Sequence, residues 1–211
     1  MVRAGHDVCR RASAVPASTG SSAVRFTVYT SSSDAVAERY RAAARAFGYR
    51  LGERGDALVY GGTDVGLMGV LAAATREAGG HVTGALPQLM AERGLADRAC
   101  DELLITDGMG DRKRAMYERA DAFVALPGGF GTIEELLEVL TLRQLGYHRK
   151  PIVLLDVDGF WQPLLAVFEH LFELGFAKSE YAALWHTAPD LDDLFDHVDT
   201  FDPGDLPTKW F

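Results

Sequence analysis

The chain has 211 residues, 48% of them hydrophobic, 24% charged and 10% aromatic, which suits one domain with a sizeable core. This composition excludes a collagenous chain, a mucin-like stalk and a wholly disordered one. The formal charge of −9, from 21 basic and 30 acidic residues without a basic block, gives no reason to expect a nucleic-acid polymer or an anionic membrane as partner.

Residues 1–23, rich in Ala, Ser and Arg, are expected to be a disordered tail, and residues 24–211 a single folded domain. The stretch after Arg10-Arg11 is too short and too polar for a signal sequence. A buried strand is expected over Val24–Thr30, then a loop and helix N-cap at Ser31–Asp34, then a helix over Ala35–Arg54. Ala57–Tyr60 reads as a second strand, Val65–Ala78 as a helix stopped by Gly79-Gly80, and His81–Leu86 as a third strand ended by Pro87. Gln88–Asp101 looks irregular and Leu103–Thr106 forms a short strand. Arg112–Ala120 is a helix, Ala122–Leu126 a strand and Thr132–Leu145 a helix. Pro151–Leu155 and Trp161–Leu174 supply one more strand and helix, before a short element near Trp185 and a helix over Leu191–Val198.

Short apolar strands joined by helices mean βαβ units and a parallel sheet covered on both faces. The expected fold is therefore an α/β, Rossmann-like, doubly wound parallel sheet in a three-layer sandwich, a single domain. Ligands in such folds bind beyond the carboxyl ends of the strands. Two cysteines, Cys9 and Cys100, without CxxC spacing, indicate neither a disulfide framework nor a metal pair, and fit a cytoplasmic protein. No apolar run approaches the about 18 residues of a membrane span. The six histidines show no metal-ligand spacing.

Two glycine-rich loops follow strands and open helices. The first, Tyr60-Gly61-Gly62-Thr63-Asp64-Val65-Gly66-Leu67-Met68-Gly69, can bring backbone N–H groups close to a ligand at a helix N-terminus, where phosphate is the natural guest. Its spacing is not GxGxxG, so a full dinucleotide fingerprint is absent. A tight turn with close helix–sheet packing is the plainer reading. The second, Leu126-Pro127-Gly128-Gly129-Phe130-Gly131-Thr132-Ile133-Glu134-Glu135, has three glycines in four positions, more than a turn requires. Thr132 and Glu135 fit a capping box and equally a catalytic pair. Glu134, Glu138 and Thr141 share one helix face, ordinarily a solvated one. Arg112-Lys113-Arg114 sets three cations at an expected helix start, against the dipole, which favours a bound anion over surface pairing with Asp111.

These residues together resemble the Lonely Guy family of cytokinin riboside 5′-monophosphate phosphoribohydrolases, long labelled lysine decarboxylases. The similarity rests on GGxxxGLMG at 61–69, on Arg112-Lys113 and on PGGFGTIEE at 127–135, and it runs from about Phe26 to Val198. The resemblance implies a Rossmann-like fold, a homodimer, a small-molecule nucleotide substrate, and hydrolysis of the bond between a nucleobase and ribose 5-phosphate. It implies no cofactor and no metal. It places the motif arginine on Arg112 and the motif glutamate on Glu135 as catalytic residues. It adds Lys113, the phosphate loop Gly129–Thr132, Thr141 and an upstream glutamate at Glu92. With the two loops, the substrate-binding candidates are Gly61, Gly62, Gly66, Met68, Glu92, Lys113, Gly128, Gly129, Phe130, Gly131, Thr132, Ile133, Glu134 and Thr141. The chain departs from the family pattern at Thr63, at Gly110 and at Tyr29–Ser32, so the base preference stays open. The alternatives are the same chemistry on another nucleoside 5′-monophosphate, or a non-catalytic nucleotide-binding protein.

Overall fold

Strand and helix alternate through residues 23–204, the part of the chain that the computed structural model describes. In order they are β1 (Arg25–Tyr29), α1 (Glu38–Arg54), β2 (Ala57–Tyr60), α2 (Gly66–Glu77), β3 (His81–Pro87), α3 (Gln88–Glu92) and β4 (Glu102–Thr106). Then come α4 (Met109–Arg119), β5 (Ala122–Ala125), α5 (Phe130–Gln144), β6 (Ile152–Leu155), α6 (Gln162–Glu173), β7 (His186–Ala188) and α7 (Leu191–Asp199). The tail expected over residues 1–23 lies outside the described residues apart from Ala23.

The strands form one parallel sheet in the order β4-β3-β2-β1-β5-β6-β7. Winding runs outward one way from β1 and the other way from β5, so the switch point lies between these two neighbours. Alternating strand side chains face opposite layers. Phe26 and Val28 join Phe47, Leu58, Leu71 and Phe195 in a core under α1, α2 and α7. Tyr29 and Phe123 join Met116, Leu136, Val139 and Trp161 in a second core under α4, α5 and α6. Among the described residues, no helix is long and apolar enough to cross a membrane.

Several boundaries differ from the sequence expectation. Gln88–Glu92 is not irregular; it forms the short helix α3 directly after Pro87, whose extended backbone serves as its N-cap. Helix α1 starts at Glu38 rather than Ala35, with Ala37 as N-cap, so Asp34 does not cap it. Its carboxylate instead accepts from the Gly66 N–H at 3.2 Å, across 32 residues. Helix α4 starts at Met109, a turn before Arg112, so the three cations are not at its N-terminus. Helix α5 starts at Phe130, two residues before Thr132, and its N-cap is Gly129 with no side-chain cap. Thr132 and Glu135 therefore form no capping box. Glycine at the cap leaves the backbone donors bare.

Candidate active site

A cavity of about 520 Å³ opens at the carboxyl edge of the sheet, over the switch point. Thr30 and Ser31–Ser33 after β1 form one wall, and Gly129–Thr132 after β5 the facing one. Gly61 and Thr63 after β2, Arg112 of α4 and Glu135 of α5 complete the floor. Parallel strands of similar length end together, so loops far apart in sequence meet here.

Arg112 and Glu135 are the charged centre. Their side chains are 9% and 10% exposed and form an ion pair through Arg112 Nη1 and Glu135 Oε1. Arg112 Nε also donates to the Ala85 carbonyl at 3.1 Å, which fixes the guanidinium plane. Gly61 lies beneath it, and a Cβ at this position would overlap the guanidinium. Burial pushes the Glu135 carboxyl above its usual range, and the charge and hydrogen bond of Arg112 pull it back down. The Tyr29 hydroxyl, almost fully buried nearby, is raised well above the tyrosine range by burial, with the Glu135 charge adding to it.

The two helix N-termini differ. At α2, the Gly66 N–H donates to Asp34, and the Leu67 and Met68 N–H groups both donate to the Ser31 carbonyl at 3.0 and 3.3 Å. Gly66 has φ +61°, and a Cβ there would meet the Ser32 backbone. At α5, Ile133 is the first residue whose N–H pairs back into the helix, at 3.1 Å to the Gly129 carbonyl. The N–H groups of Phe130, Gly131 and Thr132 have no acceptor among the described residues. They border the cavity with the positive end of the helix dipole, an arrangement suited to a phosphate.

Of the sequence candidates, Gly61, Met68, Arg112, Gly129, Phe130, Gly131, Thr132 and Glu135 line this cavity. Gly62 and Gly66 shape the first loop from behind, at φ +75° and +61°. Gly128 packs on the Thr132 side chain, and Ile133 packs against the second core. The others face elsewhere. Glu92 accepts from Gln88 on exposed α3 at 2.8 Å. Lys113 binds Glu134, and Glu138 at 3.2 Å, on the outer side of α4 and α5. Thr141 donates to the Leu137 carbonyl at 2.7 Å. Each of the three cations has an internal carboxylate, and Arg114 takes Asp111 as the plain surface-pairing reading required. Sequence reasoning missed the strand residue Val28, the loop residues Thr30–Ser33, Thr63 and Val65, and Met90, Leu95 and Met109 as lining residues. Ser31–Ser33 carried a signal as the loop directly after β1, and Thr63 as part of the first glycine-rich loop.

Fold and site together define a Rossmann-like α/β protein with a phosphate-ready helix terminus beside a buried arginine–glutamate pair. A family model described as "Possible lysine decarboxylase" matches residues 68–198. Cytokinin riboside 5′-monophosphate phosphoribohydrolase LOG2 of Arabidopsis thaliana is 40% identical over 179 residues, covering 85% of this chain and 84% of that protein. The enzyme of the same name, LOG, of Oryza sativa subsp. japonica is also 40% identical over 179 residues, covering 85% and 74%. Among solved structures, the molybdenum cofactor carrier protein of Chlamydomonas reinhardtii superimposes with a TM-score of 0.66 at 25% identity, over 84% of this chain and 97% of that one. The chain belongs to the family of possible lysine decarboxylases that includes the LOG phosphoribohydrolases.

Proposed function

We propose that the protein hydrolyses the N-glycosidic bond of a nucleoside 5′-monophosphate of the cytokinin riboside type, giving the free base and ribose 5-phosphate. The observation that carries this reading is one cavity holding both the buried Arg112–Glu135 pair and the acceptor-free N-terminus of α5. The 5′-phosphate sits on the Phe130, Gly131 and Thr132 N–H groups. Its binding energy fixes the ribose and so assists the reaction at the far end. Cleavage builds positive charge on C1′ and its ring oxygen. Glu135 stabilises that charge and removes a proton from the attacking water. The hydroxyl goes to C1′, the bonding electrons leave with the base, and the base nitrogen gains a proton. Arg112, paired with Glu135 and fixed by the Ala85 carbonyl, orients Glu135 and the substrate.

The decarboxylase label would call for a lysine beside the cavity to form a Schiff base. Among the described residues no lysine lines it, and Lys113 is held outside by Glu134 and Glu138. Lys150 donates to the Tyr117 carbonyl at 2.9 Å, away from the cavity. Hydrolysis as written needs no metal or organic cofactor. The reading extends to a cytoplasmic homodimer. The support for the dimer is the apolar outer surface of α5, α6 and the segment just after α6, where Leu137, Val167, Leu171, Leu174 and Phe176 are exposed. Light scattering on the full chain tests the dimer.

The deciding experiment measures base release from N6-isopentenyladenosine 5′-monophosphate, from plain purine and pyrimidine 5′-monophosphates and from the matching nucleosides. Release confined to the phosphorylated forms and lost in Glu135→Gln is the expected result. Equal turnover of nucleoside and nucleotide would remove the phosphate role. Tight binding without release would make the protein a nucleotide carrier.

A further inference from the structure

Two arginines are buried among the described residues, Arg112 and Arg143. Arg112 has Glu135. Arg143, 4% exposed near the end of α5, has no carboxylate partner among the described residues. Its Nη1 donates to the Leu184 carbonyl at 2.8 Å, and its guanidinium lies 5.0 Å from the centre of the Phe201 ring. Its Nε is buried without a partner, and its Nη2 has no acceptor among the described residues. Nε–H and one Nη2–H lie along the same edge of the planar guanidinium, so the unused donors form a fork. This is the geometry that grips an oxyanion with two parallel hydrogen bonds.

Arg143 borders a cavity of about 430 Å³ with Trp185, His197, Thr200 and the segment Phe201–Gly204. Helices of a parallel α/β fold run back from the carboxyl edge, so this cavity lies at the opposite edge of the sheet from the active site. Arg143 and Glu135 are eight residues apart on α5, about 12 Å along its axis. The surrounding charges are mixed. His197 stacks on His186 at 4.1 Å, and His186 pairs with Asp193 at 2.5 Å. Burial holds the His197 imidazole below its usual range, helped by His186 and Arg143 and opposed by Asp193. Asp202 also borders the cavity, with its carboxylate engaged by the Gly204 N–H at 3.1 Å. A buried guanidinium without a counter-charge is costly unless something pairs with it.

We propose that this cavity is a second ligand site, taking a small oxyanion, carboxylate or phosphate, on the Nε/Nη2 fork of Arg143. The anion supplies the counter-charge that the fold withholds, and it favours the protonated form of the neighbouring His197.

The test uses the full chain, with inorganic phosphate and succinate as separate probes. The Arg143 Nε–H and His197 ring signals are followed by NMR. Either anion, or both, should shift these signals saturably, and which one does so names the class. Arg143→Gln should abolish the His197 shift while base release stays within about twofold of the parent. Arg143→Lys keeps the charge but loses the fork, and should weaken binding by about tenfold. Arg112→Gln should leave the Arg143 response in place, which separates this site from phosphate binding in the active site. If neither anion gives a saturable shift in the parent protein, or if Arg143→Gln responds as the parent does, the proposal is overturned. The Nε–H signal of the parent protein decides the question even where a variant fails to fold.

Discussion

The N-termini of α2 and α5 come from similar glycine-rich stretches after neighbouring halves of the same sheet, yet only one is available to a ligand. At α2 the donors are consumed by Asp34 and by the Ser31 carbonyl, both from the loop after β1. At α5 the cap is Gly129, which brings no side chain, and the next three N–H groups face the cavity. A glycine-rich loop therefore marks close backbone approach, but whether the approaching group is a ligand or another loop depends on what the fold brings opposite. Here the first loop spends its helix-terminus donors on the loop after β1 and lines the cavity through Gly61, Thr63 and Met68, while the second keeps its donors free at the cavity.

The comparison can be broken or sharpened by substitution. The largest effect should come from Glu135→Gln, which keeps the side-chain volume but removes the carboxylate charge. Base release should fall by about 10³-fold, and a fall below tenfold would move the chemistry elsewhere. Arg112→Met should be the most damaging to stability, because it leaves Glu135 buried without its partner. About 3–5 kcal/mol should be lost in denaturant unfolding.

The two loops should then separate under the same small change. Gly66→Ala forces a side chain into positive φ against the Ser32 backbone and should cost about 1–3 kcal/mol. Gly131→Ala meets open space and should change stability by less than about 1 kcal/mol. Its effect should fall on KM for the nucleotide, raised several-fold, with little change for a nucleoside lacking phosphate. If Gly131→Ala instead unfolds the protein and leaves KM unchanged, the functional contrast between the loops disappears.

The pH profile supplies a further test. In the proposed reaction Glu135 acts as its carboxylate, and burial raises its pKa. The acid limb of the rate should therefore lie above the usual carboxylate range, with activity lost as pH falls through it. For folding the sign is reversed: the native state holds this proton more tightly than the unfolded chain, so Glu135 lowers stability as pH rises through that window. The smallest effect should be that of Asp34→Ala, which uncaps α2 at a cost of about 1 kcal/mol with kcat/KM within about twofold.

Much of this could be read along the chain. The alternation of short apolar strands with helices specifies a parallel sheet, because each strand must be covered on both faces. Arg112, Glu135 and the loop around Gly129 stood out for their residue types next to expected strand ends. Local pattern misplaced the starts of α4 and α5, since T-x-x-E satisfies a capping box on paper. In the fold, Thr132 and Glu135 are instead turned inward and buried at the cavity. The sequence also could not show that Lys113, Glu134 and Glu138 neutralise one another on an outer surface, or that Glu92 faces solvent beside Gln88.

The sequence by itself determined the layer architecture, the two backbone-approach loops and the charged residues available for chemistry, because periodicity and glycine placement are local properties. The tertiary structure alone decided which helix terminus stays open, which arginine receives a carboxylate and which does not. Those outcomes depend on hydrogen bonds and ion pairs between segments 23 to 41 residues apart, such as Asp34 with Gly66, Arg112 with Glu135 and Arg143 with Leu184. No local pattern encodes them, because each partner is supplied by a different turn of the sheet.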